Sequence, residues 1–222
     1  MLIVALFILI VGVLSSPLSS RAADASNMDA SATKPKSRFP LDSQTAEQKA
    51  AFAEAERLVL ATLGSSFKLK DDQGNLLGPF GILSYTPKTF LPYLNYTSSY
   101  TSLTSLTAKE RELSVLATAS VTKSDYILYA HKSIGISVGL TKRQAEDAAD
   151  GDTPDNLSDR EEFVYELALK MAKKFGVLSD KQFKEAVDVI GREGIAQLSQ
   201  VVGGYLLSSV LVNVADVPVP TS

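Results

Sequence analysis

The chain contains no cysteine, and among its 222 residues there is one histidine, His131. Without cysteine there can be no disulfide framework, zinc–thiolate site, iron–sulfur cluster or thiol nucleophile. With a single imidazole there can be no multi-histidine metal site. Positive charge is also thinly spread. Lys and Arg number 22 against 25 Asp and Glu, a formal net charge of −3, and the cations form no cluster. Nothing in that balance offers an electrostatic footprint for nucleic acid. Calcium-loop spacing is absent, as are a GxxxxGK[ST] loop and a strand-linked GxGxxG. No metal, nucleotide or other cofactor is therefore expected.

What remains is an ordinary globular composition, 45% hydrophobic and 21% charged, at a length that suits one domain with a substantial core. The exception is the start. Residues Leu2–Leu14 form an apolar run of about 13 residues, short for a bilayer span but the right size for a signal-peptide core. Small residues follow, and Ala23-Asp24-Ala25 supplies an A-x-A cleavage pattern. The expectation is a signal peptide over 1–25, with an uncleaved membrane anchor as the alternative, and hence a secreted or secretory-lumen protein. Two sequons, at Asn95 and Asn156, fit that route as candidate glycosylation sites. Residues 26–40 are small, polar and Pro-containing, a flexible lead-in. Residues 41–220 form the expected domain.

Over that domain the apolar residues recur at helical spacing, and no strand pattern competes. The expected fold is all-α. Ser43 or Thr45 can cap a first helix, and Pro87 suits the first turn of a later one. Thr107 with Glu110 and Ser158 with Glu161 each form a capping box. Between these boxes the spacing predicts helices over 108–121 and 124–138, folded as an antiparallel pair, with Ser124 as N-cap of the second and Gly139 ending it. A short acidic helix over 141–149 follows, then one that Gly176 closes and another that Ser179 begins. The last segment, "GIAQLSQVVGGYLLSSVLVNVADVP", is apolar around most of its circumference, which suits the centre of a core or a subunit interface. Gly203-Gly204 within it costs about 1 kcal/mol per residue relative to Ala, and close approach of a neighbouring helix is the expected use.

The candidate chemistry lies in "KERELSVLATASVTKSDYILYAHKS". Glu112 is on the first helix of the pair, and Ser124, Ile127 and His131 share one face of the second at i, i+3 and i+7. A carboxylate that accepts from one imidazole nitrogen fixes the tautomer and raises the basicity of the other, which can then act as general acid or base. A hydrogen-bonded core histidine with Glu112 as its partner is the structural alternative. Ser124, Tyr126 and Tyr129 bring hydroxyls that could orient a substrate oxygen. Lys123 and Lys132 are better explained by solvation.

The spacing of Glu112, Ser124, Ile127 and His131 resembles the E…C-x-x-C-x-x-x-H motif of the alkylhydroperoxidase D/carboxymuconolactone decarboxylase superfamily. "LTAKERELSVLATA", "AHKSIGISVGLT", "GPFGILSYTP" and the terminal "GGYLLSSVLVNVADVPVP" look similar as well, so the resemblance covers roughly residues 38 to 220. The family's two redox cysteines fall on Ser124 and Ile127, neither of which can form a disulfide. Thiol peroxidase activity is thereby excluded. The resemblance implies a single AhpD-like helical domain, a homo-oligomer (trimer or hexamer), and a cofactor-free lyase or isomerase acting on a small lactone or carbonyl-containing acid. His131 and Glu112 would be catalytic, and Ser124, Tyr129 and Tyr205 would contact substrate, with Asn213 a further pocket candidate. The competing expectation is a non-catalytic secreted helical oligomer that binds a small hydrophobic ligand or a protein partner.

Overall fold

The structure is a computed structural model, and it describes residues 37–63, 68 and 70–220, with the backbone alone at 61–63. The expectations for the signal peptide, and for the lead-in up to residue 36, lie outside the described residues. Eight helices are present among those described: α1 (Ala46–Leu63), α2 (Phe80–Leu83), α3 (Pro87–Thr101), α4 (Ala108–Thr122), α5 (Asp125–Ser137), α6 (Lys142–Asp150), α7 (Asp159–Lys174) and α8 (Asp180–Ala215). A lone antiparallel bridge between Lys70 and Leu76 is the sole strand-like pairing there. The fold is all-α, as the periodicity predicts.

Helix starts follow local chemistry closely. Thr107, Thr141, Ser158 and Ser179 each form a complete capping box with the residue three positions on. Each box satisfies two of the backbone donors that a helix start leaves orphaned. Thr45 and Gln48 exchange the same pair of bonds at the head of α1, which resolves the choice between Ser43 and Thr45. Helix ends follow less closely. Phe175, not Gly176, takes the left-handed conformation that stops α7 (φ 49°), and Lys123 does the same for α4 (φ 52°).

Helix α4 is the centre of the fold, packed against α5, α6, α7 and α8. Its "LSVLATAS" run, Leu113–Ser120, is buried on every side. That explains why it shows no clear polar face. Its hydroxyls fold back onto their own helix: Ser114, Thr118 and Ser120 donate to the carbonyls of Glu110, Ser114 and Ala117. A Ser or Thr can be buried this way without an unpaired donor. Leu113 and Leu116 are fully buried within the largest core cluster, each burial stabilising by roughly 1.5–3 kcal/mol. A second cluster joins Val115 and Ala119 of α4 to Tyr126, Ile127 and Ala130 of α5, Tyr100 of α3, and Val201 and Val212 of α8. A third holds α1, α2 and α3 together through Phe52, Ala55, Val59, Phe80, Leu83 and Phe90.

The two expected helices at 179–191 and beyond run on as α8, with a break at Gly191 (φ 70°, ψ 170°). Only glycine adopts that backbone conformation without strain. Two polar residues, Arg160 and Gln197, secure the surroundings. Arg160 bonds Glu110, the Val189 carbonyl just before the break, and the Ser105 carbonyl. Gln197, fully buried, accepts from the Leu106 amide and donates to the carbonyls of Tyr100 and Leu103. One amide side chain thus ties the α3–α4 link to α8. Of the glycine pair, Gly204 is the close approach: a Cβ there would overlap the Tyr100 hydroxyl. Gly203 has open space around it.

Candidate active site

The antiparallel pairing of α4 and α5 brings the two halves of the motif together. Nδ1 of His131 lies 2.7 Å from Oε2 of Glu112, with each side chain about one-seventh exposed, at 14%. That bond occupies Nδ1 and leaves Nε2 with no hydrogen-bond partner among the described residues. The Tyr205 ring stands edge-on to the imidazole, with centroids 4.9 Å apart at 88°. Glu112 holds the imidazole through one nitrogen and Tyr205 fixes its plane, so the ring is oriented twice over.

His131 lines a cavity of about 270 Å³. Ile127, Ala130 and Ile134 of α5 form its floor, Tyr205 and Ser208 of α8 one wall, and Tyr93, Leu94 and Tyr100 of α3 another. Leu58 and Val59 of α1, with Pro79 and Phe80, complete it. No Asp, Glu, Lys or Arg lines it, and His131 brings the one imidazole to its surface. Burial pushes the Tyr205 phenol well up, and the neighbouring Glu112 carboxylate pushes it further, so the hydroxyl stays a proton donor.

The other expected substrate contacts are placed differently. Ser124 is fully buried, and its hydroxyl donates to Oδ1 of Asn213 at 2.6 Å. The Asn213 amide in turn donates to the Thr122 carbonyl. Ser124 stands at the N-cap position of α5 but makes no side-chain capping bond, because the bond to α8 takes its hydroxyl instead. Neither Ser124, Asn213 nor Tyr129 is among the residues lining the cavity. Tyr129 packs beside Tyr126, with ring centroids 5.9 Å apart, and Tyr126 spends its own hydroxyl on the Lys68 carbonyl. Asn95 is exposed at the cavity's rim, whereas Asn156 sits in the α6–α7 loop at φ 59°.

Sequence reasoning missed Tyr93 and Tyr100. Helical spacing identifies them as apolar-face residues of α3, but nothing local shows that α3 faces His131. No group of three or more His, Asp or Glu that could hold a metal occurs among the described residues.

No family model matches the chain, and no curated protein does. Solved structures do. One is a crystal structure titled as an alkylhydroperoxidase AhpD core, an uncharacterized peroxidase-related protein from Ralstonia eutropha JMP134. It is 21% identical, covers 85% of this chain and 94% of its own, and superposes with a TM-score of 0.67. Another, an uncharacterized peroxidase-related protein from Silicibacter sp. TM1040, is 16% identical over 84% of this chain and 94% of its own, with a TM-score of 0.64. The fold is therefore that of the AhpD-like helical domains, as the motif resemblance implies.

Proposed function

We propose that the chain is a cofactor-free acid–base enzyme of carboxymuconolactone decarboxylase-like type, a lyase or isomerase acting on a small lactone or other carbonyl compound. One observation carries the reading: Glu112 binds Nδ1 of His131, which leaves Nε2 as the free nitrogen of a residue that lines a largely apolar cavity. In the step envisaged, Nε2 takes a proton from the carbon beside the carbonyl, and the C–H electron pair moves onto the carbonyl oxygen as an enolate. The imidazolium, stabilised by the Glu112 carboxylate, then returns the proton to the same or a conjugated carbon. No oxidant, reductant or metal enters that balance. The AhpD-like fold supports the family reading alone, and the chain has no cysteine for thiol peroxidase work.

The test is hydrogen–deuterium exchange at the α-carbon. The protein is incubated in D₂O with neutral cyclic ketones and lactones, 2-tetralone among them, and the α-proton signal is followed by NMR. Catalysed exchange should fall at least about 100-fold in His131→Ala, the ordinary worth of a positioned acid or base. An unchanged rate in that variant sinks the reading.

A second reading, a helical oligomer that binds a partner without catalysis, draws support from α8. Leu207, Val210 and Val214 lie exposed along one of its faces, at the spacing of an apolar helix stripe. Light scattering on the intact protein decides the assembly, which we take to be a homo-oligomer; a monomer with no α-exchange activity would end both readings.

A further inference from the structure

Four tyrosines, Tyr93, Tyr100, Tyr126 and Tyr205, line the cavity, and their hydroxyls divide into two kinds. Those of Tyr93 and Tyr126 are committed. Tyr93 is 2.7 Å from the Ser208 hydroxyl, which itself donates to the Gly204 carbonyl, so the phenol is the donor of that pair. Tyr126 donates to the Lys68 carbonyl at 3.0 Å. Those of Tyr100 and Tyr205 have no hydrogen-bond partner among the described residues. Tyr100 is buried, with 1% of the residue exposed. Its position is fixed from behind by Gly204, where even a methyl group would collide with it.

Both free phenols are donors under ordinary conditions. Burial pushes the Tyr100 phenol up, and its neighbours Tyr93 and Tyr96 add to the effect. Tyr205 is held protonated by burial and by Glu112. A donor that cannot release its proton suits a carbonyl oxygen, and suits better the enolate oxygen into which that carbonyl turns. No Lys or Arg in the lining offers a carboxylate a counter-charge. The lining's one basic side chain, His131, already faces Glu112. The nearby Arg111 gives its guanidinium to the Leu106 carbonyl and does not line the space. Moving an ion from water into such a site, with no counter-charge, is costly. The volume, about 270 Å³, is at the small end of ligand pockets.

We infer that this cavity takes a neutral, ring-sized apolar carbonyl compound, not an acid, and that the hydroxyls of Tyr100 and Tyr205 receive its carbonyl oxygen. The inference rests on the acid–base reading for the use made of the oxygen, but the binding preference stands on the cavity alone.

The protein's one histidine gives a single imidazole Hε1 resonance, which reports occupancy of the site directly. Three probes of one ring size are titrated against it: 2-tetralone, carbonyl-free tetralin, and 2-naphthoate, which carries a carboxylate. We expect 2-tetralone to shift the resonance and bind at least tenfold more tightly than 2-naphthoate. Tyr100→Phe and Tyr205→Phe should each weaken 2-tetralone roughly three- to tenfold, the worth of one hydrogen bond, and leave tetralin unchanged. Binding of 2-naphthoate as tight as that of the ketone overturns the inference, as does failure of all three probes to bind. Equal loss of ketone and tetralin in the phenylalanine variants also overturns it. Ketone binding that depends on the tyrosines, without α-exchange, would leave this inference standing and remove the acid–base reading. Exchange that persists in variants with an unaltered ketone-over-tetralin preference would do the reverse.

Discussion

Two glutamates, Glu110 and Glu112, sit two residues apart on α4 and make opposite use of the same side chain. Two steps along a helix turn the side chain by about 200°, and the surroundings differ accordingly. Glu110 is 2% exposed and both oxygens are taken: Oε1 by Arg160 at 2.7 Å, Oε2 by the Thr107 amide at 2.8 Å. Its partner is a guanidinium that never gives up its proton near neutral pH. Glu112 instead meets an imidazole, a group whose charge can change, and that imidazole borders a cavity. A buried carboxylate is therefore not in itself a sign of chemistry. What its partner can do, and whether an empty space adjoins that partner, decides the matter.

The comparison can be broken or sharpened by removing one side at a time. The largest effect in stability is expected from Arg160→Met. It leaves Glu110 buried without its counter-charge and frees the Val189 and Ser105 carbonyls, at a cost of about 3 kcal/mol read from urea unfolding. The folded fraction should keep its full α-exchange rate. Glu112→Gln should do the converse, lowering α-exchange roughly 10- to 100-fold through loss of imidazolium stabilisation, with stability changed by less than about 1 kcal/mol. If Arg160→Met slowed exchange in the folded protein, or Glu112→Gln unfolded it, the division between the two carboxylates would be wrong.

Smaller still is the effect on Tyr205. Burial first, and the Glu112 charge second, hold its phenol above the ordinary tyrosine range. The folded protein therefore keeps this proton after the unfolded chain has released it. Stability should be intact below about pH 10, the ordinary phenol value, and fall as pH rises beyond it. Tyrosinate absorbance should show Glu112→Gln easing the ionisation of Tyr205 slightly, with burial keeping it raised. Glu110→Gln should leave that phase where it was.

What the sequence made legible followed from local rules. Capping boxes at Thr107 and Ser158 are four-residue patterns, and the helix starts appeared where they, and the start at Ser179, predict. The Glu112–His131 pair was legible because a hairpin of two helices converts a 19-residue separation into a contact. The partner of the Ser124 hydroxyl was hidden for the opposite reason. Its local pattern says N-cap, but the partner that claims its hydroxyl, Asn213, is 89 residues away. The Glu110–Arg160 pair spans 50 residues, and the Tyr100–Gly204 approach more than twice that. In each, a helix face known to be apolar gives no indication of which other helix it meets. Gly176 failed more simply: its neighbour Phe175 accepted a left-handed conformation that sequence rules reserve for glycine.

Gln197 has a mechanical consequence. Its single amide fastens the Tyr100 and Leu103 carbonyls and the Leu106 amide to α8, so the residues bearing Tyr100, the root of the helix bearing Glu112, and the helix bearing Tyr205 are clamped as one jaw. The opposite jaw, Leu58 and Val59 on α1 with Pro79 and Phe80, belongs to helices held to α3 by apolar contact. Apolar packing slides where a buried amide clamp does not. The imidazole and the phenols of Tyr100 and Tyr205 are therefore held in place before any guest arrives.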